Sequence, residues 1–200
     1  GANVSDKILI IENLLQVADH IIIGGGMSYT FIKAMGGTIG NSLFEEDRVE
    51  LTKEILERAK SKGVQIHLPV DSIIADKFSA DANAEACNSN AIPDGWMGLD
   101  IGPEAVKTYV DVINSSKTVL WNGPMGVFEM DKFANGTKAV ALALADTTTN
   151  GAFTLIGGGD SSAAIHKFHL EGKVSYVSTG GGALLEYFEG KVLPGIAAIN

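Results

Sequence analysis

Short apolar runs recur along the chain, each followed by a glycine cluster and then by a stretch of helical period. Ile21-Ile22-Ile23 leads into Gly24-Gly25-Gly26 and residues 27–35. Phe153-Thr154-Leu155-Ile156 leads into Gly157-Gly158-Gly159 and residues 160–168. Residues 174–178 lead into Gly180-Gly181-Gly182 and residues 183–188. The apolar runs are short and β-branched, as buried parallel strands are. Residues 64–70 and 118–121 fit as two further strands. Strands alternating with helices predict an α/β fold: a three-layer αβα, Rossmann-like domain with a mainly parallel sheet and helices on both faces.

The helices carry their own signals. Ser5 is placed to cap a helix over 6–17. A second helix is expected over 45–59, with Leu51, Ile55 and Ala59 four apart on one face. Glu54 and Arg58 are spaced to pair along it, and Gly63 is a natural stop. Pro103 opens another helix at the favoured first position, with Val106, Tyr109, Val110 and Ile113 as its buried stripe. An Ala- and Leu-rich helix is expected over 132–146. Residues 76–94 are polar and read as a loop or irregular excursion. No low-complexity linker divides the chain, so one domain is expected over 1–200. The opening Gly1-Ala2-Asn3-Val4 has no strand before it, unlike every other glycine loop here. The expectation is that an upstream strand lies outside this sequence.

Composition narrows the class. With 46% hydrophobic and 20% charged residues, the chain has ample material for a core. Its 24 glycines have no collagen-like period and cluster in triplets. Fifteen basic against 24 acidic residues give a net charge of −9, and the only arginines are Arg48 and Arg58. Without a basic cluster, nucleic-acid binding is not expected. No apolar run approaches the ~20 residues of a membrane span, and no signal-peptide pattern is present. Cys87, the single cysteine, excludes an internal disulfide and a cysteine-based zinc cage. A cytoplasmic location is the expectation.

A strand that ends in glycines and opens a helix leaves backbone N–H groups at the positive end of the helix dipole, a site for phosphate. Such loops gather at the carboxyl ends of parallel strands. The familiar phosphate motifs do not fit. There is no G-x-x-x-x-G-K-[ST], and the stretch from Gly180 has Leu185 where G-x-G-x-x-G needs its last glycine. Glu45 and Glu46, in a helix start, are poorly placed to hold a dinucleotide ribose, so a dinucleotide-dependent oxidoreductase has little support. Asp160, directly after Gly159, either caps its helix or holds Mg²⁺ beside phosphates. His20, His67, His166 and His169 are scattered, and no third ligand accompanies the i,i+3 pair His166 and His169. Residues 121–129 and 95–100 combine apolar, glycine and acidic residues, as the two walls of a nucleoside slot would.

Several stretches carry a family resemblance: Gly1-Ala2-x-Val4-Ser5-Asp6-Lys7-Ile8, Ile22-Ile23-Gly24-Gly25-Gly26-Met27, Leu68-Pro69-Val70-Asp71, Ile92-Pro93-Asp94-Gly95-Trp96-Met97-Gly98-Leu99-Asp100-Ile101-Gly102-Pro103, Trp121-Asn122-Gly123-Pro124-Met125-Gly126-Val127-Phe128-Glu129, Ile156-Gly157-Gly158-Gly159-Asp160 and Ser178-Thr179-Gly180-Gly181-Gly182-Ala183. End to end, the chain resembles the C-terminal, nucleotide-binding lobe of phosphoglycerate kinase. The resemblance implies phosphoryl transfer between 1,3-bisphosphoglycerate and ADP, giving 3-phosphoglycerate and ATP in glycolysis, with Mg²⁺. It implies an adenine slot at Gly25, Gly26, Leu43, Gly98 and Leu99, with a rim of Asn122, Pro124, Gly126, Val127 and Glu129. Glu129 would take the ribose hydroxyls and Lys7 the nucleotide phosphates. Gly158, Gly159, Asp160 and Ser161 would surround phosphates and Mg²⁺, with Asp160 as the metal ligand. Ser161 stands where the family usually has Thr and keeps the hydroxyl. Gly159 and the loop ending at Gly182 would face the phosphoryl group in flight.

Two departures bear on activity. Asn3 stands where the family motif has a Lys that stabilises the transferring phosphoryl, and a neutral Asn supplies no charge-assisted contact. The resemblance also places the phosphoglycerate-binding N-terminal lobe outside this chain. The expectation is a chain that binds Mg-ADP or ATP but is inactive alone, from an enzyme family whose full-length members are usually monomeric. A non-catalytic nucleotide-binding module is the alternative.

Overall fold

The computed structural model describes residues 1–179. The third glycine cluster, Gly182 included, and the helix expected after it lie outside the described residues. Along the described chain run α1 (Ile8–Val17), β1 (His20–Ile22), α2 (Ser28–Ala34), β2 (Thr38–Ile39), α3 (Val49–Lys62), β3 (Gln65–His67), β4 (Asp71–Ala75) and β5 (Ala84–Asn88). There follow β6 (Ala91–Ile92), β7 (Met97–Ile101), α4 (Pro103–Asn114), β8 (Thr118–Trp121), α5 (Asn135–Thr149), β9 (Phe153–Gly157), α6 (Gly159–Lys167) and β10 (Tyr176–Ser178).

Where the sequence predicts one mainly parallel sheet, the described strands form four small ones. β1 pairs with β3, β2 with β6, and β8–β9–β10 form a triple, all parallel. The fourth, β5–β4–β7, is antiparallel, with an irregularity between Ile73 and Ile74. The stretch read as one strand over 64–70 is cut at His67, and the chain re-enters a different sheet at Asp71. Residues 76–94, expected as irregular, supply β5 and β6. The pattern missed β5 because Ala84–Asn88 is mostly exposed and has no apolar alternation.

Two hydrophobic cores flank the parallel strands. Val119, Trp121 and Ile156 pack with Tyr109 and Ile113 of α4, Val140 and Leu144 of α5, and Ile165 of α6. Leu120, Leu155, Ile21 and Ile23 point the other way, into Ile11 and Leu15 of α1, Phe31 of α2, and Ile55 of α3. Successive residues of β8 thus serve opposite cores, as the two-residue period of a strand demands. Helices α1, α2 and α3 line one core and α4, α5 and α6 the other, the described residues making an α/β protein of small sheets and six helices.

Helix ends follow the sequence in part. Gly63 closes α3 with φ of 73°, the left-handed stop that favours glycine. Pro103 begins α4, and the buried Asp71 carboxylate accepts from Glu104 N (3.0 Å) and Ala105 N (2.8 Å), capping that helix from another element. Ser5 does not cap a helix over 6–17. A 3-10 turn, Ser5–Lys7, precedes α1, and the Ser5 hydroxyl turns to Glu45. Arg58 pairs with Glu12 of α1 at 2.6 Å, fastening α3 to α1 rather than to Glu54 along its own helix. Among the described residues no helix is long and apolar enough to cross a membrane.

Candidate functional site

The carboxyl ends of β1, β8 and β9 open onto one cleft of about 620 Å³. Each strand delivers a different loop to it: Gly25 and Gly26 after β1, residues 122–127 after β8, and residues 157–161 at the β9–α6 junction. Residues 1, 2, 6 and 7 close one side, and residues 97–100 of β7 close another.

One end of the cleft is built for anions. Gly158 has φ of 94°, and a Cβ there would sit 2.8 Å from Asn122 Nδ2, so both the turn and the approach require glycine. Beyond it α6 begins without a side-chain cap. Its first residues, Gly159, Asp160 and Ser161, line the cleft at the positive end of the helix dipole. Ser161 is buried, and its hydroxyl accepts from Gly123 N at 2.6 Å, tying the loop after β8 to α6. Lys7 reaches the same place and donates to Asn122 Oδ1, while Asn122 Nδ2 donates to Gly157 O at 2.8 Å. Burial pushes the Lys7 ammonium below its ordinary value, while Asp160 and Asp6 pull it up. Asp160 is exposed at the helix start, facing the Lys7 charge.

The other end is apolar. Leu43 and Phe78, 57% and 61% exposed, both line the cleft, as do Met97, Leu99 and Val127. Large apolar side chains left open on the facing walls of a cleft fit a flat ring between them. Gly98 allows that wall to lie against α2, because a Cβ there would fall 1.9 Å from the Tyr29 hydroxyl. That hydroxyl donates to Ser72 Oγ at 3.0 Å, and burial raises its pKa above the ordinary tyrosine range. Behind the rim, the Asp100 carboxylate accepts from Ile101 N and Gly136 N, both at 2.9 Å. Burial pushes its pKa up to about 7, against the pull of those two amides.

Most residues singled out in the sequence converge here: Lys7, Gly25, Gly26, Leu43, Gly98, Leu99, Asn122, Pro124, Gly126, Val127, Gly158, Gly159, Asp160 and Ser161 all line the cleft. Two do not. Glu129 is exposed in the turn after Phe128 and lies outside the lining. Asn3 is one step removed, its amide donating to Asp6 Oδ2 at 3.2 Å. Met97 belongs to the wall expected over 95–100, whereas Phe78 and Asn41 line the cleft without a signal of that kind in the sequence. Phe78 sits in the segment taken as irregular, and its lone aromatic ring in a polar stretch was the available signal. Among the described residues, no three His, Cys, Asp or Glu side chains gather as a metal cluster.

An α/β scaffold with a glycine-lined cleft at its strand ends is the class that fold and site define. Comparison with known sequences narrows it: the phosphoglycerate kinase family matches residues 1–191, and the chain belongs to that family of glycolytic phosphotransferases. It is 55% identical over 200 residues to phosphoglycerate kinase 3, cytosolic, of Arabidopsis thaliana and 57% identical to phosphoglycerate kinase of Porphyromonas gingivalis. All of this chain is covered in both alignments, against 50% and 48% of those relatives. The chain therefore spans about half the length of the curated relatives it matches. Among solved structures, phosphoglycerate kinase from Coxiella burnetii superposes with a TM-score of 0.90 at 45% identity, covering 95% of this chain and 48% of that one. The enzyme from Pyrococcus horikoshii gives 0.77 at 30% identity, covering 97% and 48%.

Proposed function

We propose that this chain is the C-terminal, nucleotide-binding lobe of phosphoglycerate kinase, one domain over residues 1–200 that holds Mg-ADP or Mg-ATP in the described cleft. The observation that carries this reading is the cleft's polarity. Leu43, Leu99 and Val127 line one end, and Lys7 with the amides that open α6 lines the other. A nucleotide has the same polarity, a flat base at one end and phosphates at the other. Gly25, Gly26 and Gly98 would line the slot for the base. Asn122, Pro124 and Gly126 would form the rim, and Glu129 would reach the ribose from outside it.

Mg²⁺ fits Asp160. This ion is held by one or two carboxylates together with substrate phosphates, and Asp160 is an exposed carboxylate beside the helix start and the Lys7 charge. Bound there, it would neutralise phosphate charge. In the reaction, an oxygen of the ADP β-phosphate bonds to the phosphorus of the acyl phosphate as its bond to the carboxyl oxygen breaks, leaving 3-phosphoglycerate and ATP. The work of this chain would be positioning and charge stabilisation by Lys7 and by the amides at Gly159 and Gly182. Phosphoglycerate itself would be bound by an N-terminal lobe outside this chain. Relatives named cytosolic support a cytoplasmic setting.

The predicted single sheet belongs to the same proposal. β1 and β8 send alternate residues into the same two cores but do not pair with each other. An apolar slot lies between them, lined by Ile21, Ile23, Val119 and Leu120. The Gly1 amino group lies at its end, donating to Gly24 O (3.0 Å) and Pro124 O (3.3 Å), in the loops that follow β1 and β8. A strand arriving at Gly1 parallel to both would join β3–β1 to β8–β9–β10 in one Rossmann-like sheet.

Calorimetric titration of ADP into the chain tests the binding reading. Saturable one-to-one binding that tightens with Mg²⁺ is expected, and no heat at millimolar ADP would overturn it. In a two-lobe enzyme carrying this sequence, Asn3→Lys should raise turnover by about 100-fold, the scale of one lost charge-stabilising donor. Unchanged turnover would favour the second reading, a nucleotide-binding module without catalysis, which rests on Asn3 alone.

A further inference from the structure

Glu45 has no part in the reading given so far, yet it joins two walls of the cleft. Its Oε1 accepts from Val4 N at 2.5 Å and Ser5 N at 3.3 Å, and its Oε2 accepts from the Ser5 hydroxyl. Arg48 Nε donates to that same hydroxyl at 3.0 Å. The carboxylate therefore caps the 3-10 turn before α1 from 40 residues away in sequence. Capping of this kind places negative charge at the positive end of a helical segment. Glu45 is itself held, its own N–H donating at 3.2 Å to Oγ1 of the buried Thr30. The segment just before it is pinned a second time where Gly98 N donates to Ser42 Oγ at 2.9 Å.

We propose that Glu45 is a positioning residue for the nucleotide phosphates: it fixes the segment bearing Lys7 against the segment bearing Leu43. The inference rests on the nucleotide reading above. Val4 is the pivot, fully buried, with Val4 O accepting from Lys7 N at 2.9 Å. Holding Val4 N and Ser5 N thus sets where the Lys7 side chain leaves the backbone, one turn on. The apolar wall keeps its separate anchor at Ser42, so loss of Glu45 frees the phosphate side and leaves the base side in place.

The test compares the 200-residue chain with Glu45→Ala, Glu45→Gln and Ser5→Ala by calorimetry, using Mg-ADP and adenosine as two probes. Glu45→Ala should weaken Mg-ADP about tenfold, the scale of a lost charged hydrogen bond, and leave adenosine within about twofold. Glu45→Gln keeps an acceptor oxygen and should recover most of that loss. Equal loss of both probes with a lowered melting temperature would mean a merely structural role and overturn the proposal. If Glu45→Ala does not fold, Ser5→Ala must give a smaller loss confined to Mg-ADP, and an unchanged affinity there would overturn it too. Amide exchange at Val4 and Ser5 separates the two layers of inference. Unchanged exchange in Glu45→Ala overturns the clamp, whereas faster exchange in a chain whose parent binds no ADP overturns the nucleotide reading and with it the role of Glu45.

Discussion

The first two glycine clusters look alike in sequence, and the fold uses them differently. After β1, Gly25 has φ of 75°, and a Cβ on it would meet Gly1 O at 2.6 Å and Pro124 O at 3.0 Å. The amides that follow are already spoken for: Met27 N donates to Gly1 O, Ser28 N to Gly25 O and Tyr29 N to Gly26 O. After β9, Gly159 has nothing within 4 Å of its Cβ position, and its helix starts open to the cleft. One cluster lets protein backbones meet each other; the other leaves room for something that is not protein. A strand–glycine–helix pattern therefore marks a close approach, and only the surroundings say what approaches.

The sharpest way to break this contrast is to add one methyl group to each loop. Gly25→Ala should destabilise the chain by about 4 kcal/mol, combining left-handed strain with overpacking. Urea unfolding would measure it, and a loss below about 1 kcal/mol would show the first loop to be less crowded than its distances imply. Gly159→Ala should leave stability within about 0.5 kcal/mol, since alanine suits a helix start, and should weaken Mg-ADP about tenfold by narrowing the cleft mouth. Unaltered affinity would mean phosphate does not approach that backbone.

A pH-dependent effect concerns the buried Asp100 of β7. Its folded pKa of about 7 lies above the ordinary 3.8, so the folded state holds the proton more tightly than the unfolded chain does. That contribution to stability is whole below pH 3.8 and is lost as pH rises towards 7. Asp100→Asn should flatten this slope, at the cost of one of the two amide contacts at Ile101 and Gly136. Urea midpoints across that pH range would check it, and an equal slope in the variant would place the titration elsewhere.

Much of the parallel part was legible because its signals are local. Thr118–Trp121 stands where the β-branched run put it, Gly63 ends α3, and Pro103 starts α4. The cluster at Gly158 stood out because strand, glycine and helix follow one another directly, whereas Lys7 stood out only through the family motif at residues 1–8. The illegible part depends on contacts between distant segments. β4 finds β5 and β7 through backbone pairing that small and polar side chains do not announce. Arg58 had Glu54 at the right spacing on its own helix, yet Glu12 of α1 lies closer once the helices pack. Glu45 read as a helix opener, because nothing near it in sequence hints that Val4 and Ser5 come to it.

The position of Gly1 has a practical side for anyone preparing this protein. Its amino group is wedged between the carbonyls of Gly24 and Pro124, at the mouth of an apolar channel. Whatever residue precedes Gly1 must either thread between β1 and β8 or pull Gly1 away from both. The character of that preceding sequence then becomes a variable in its own right. A polar affinity handle would be pushed into an oily passage, while a few valines or isoleucines would find a ready berth. Yield, solubility and ligand affinity should all be compared with the preceding residues specified, because on this chain they are part of the material being measured.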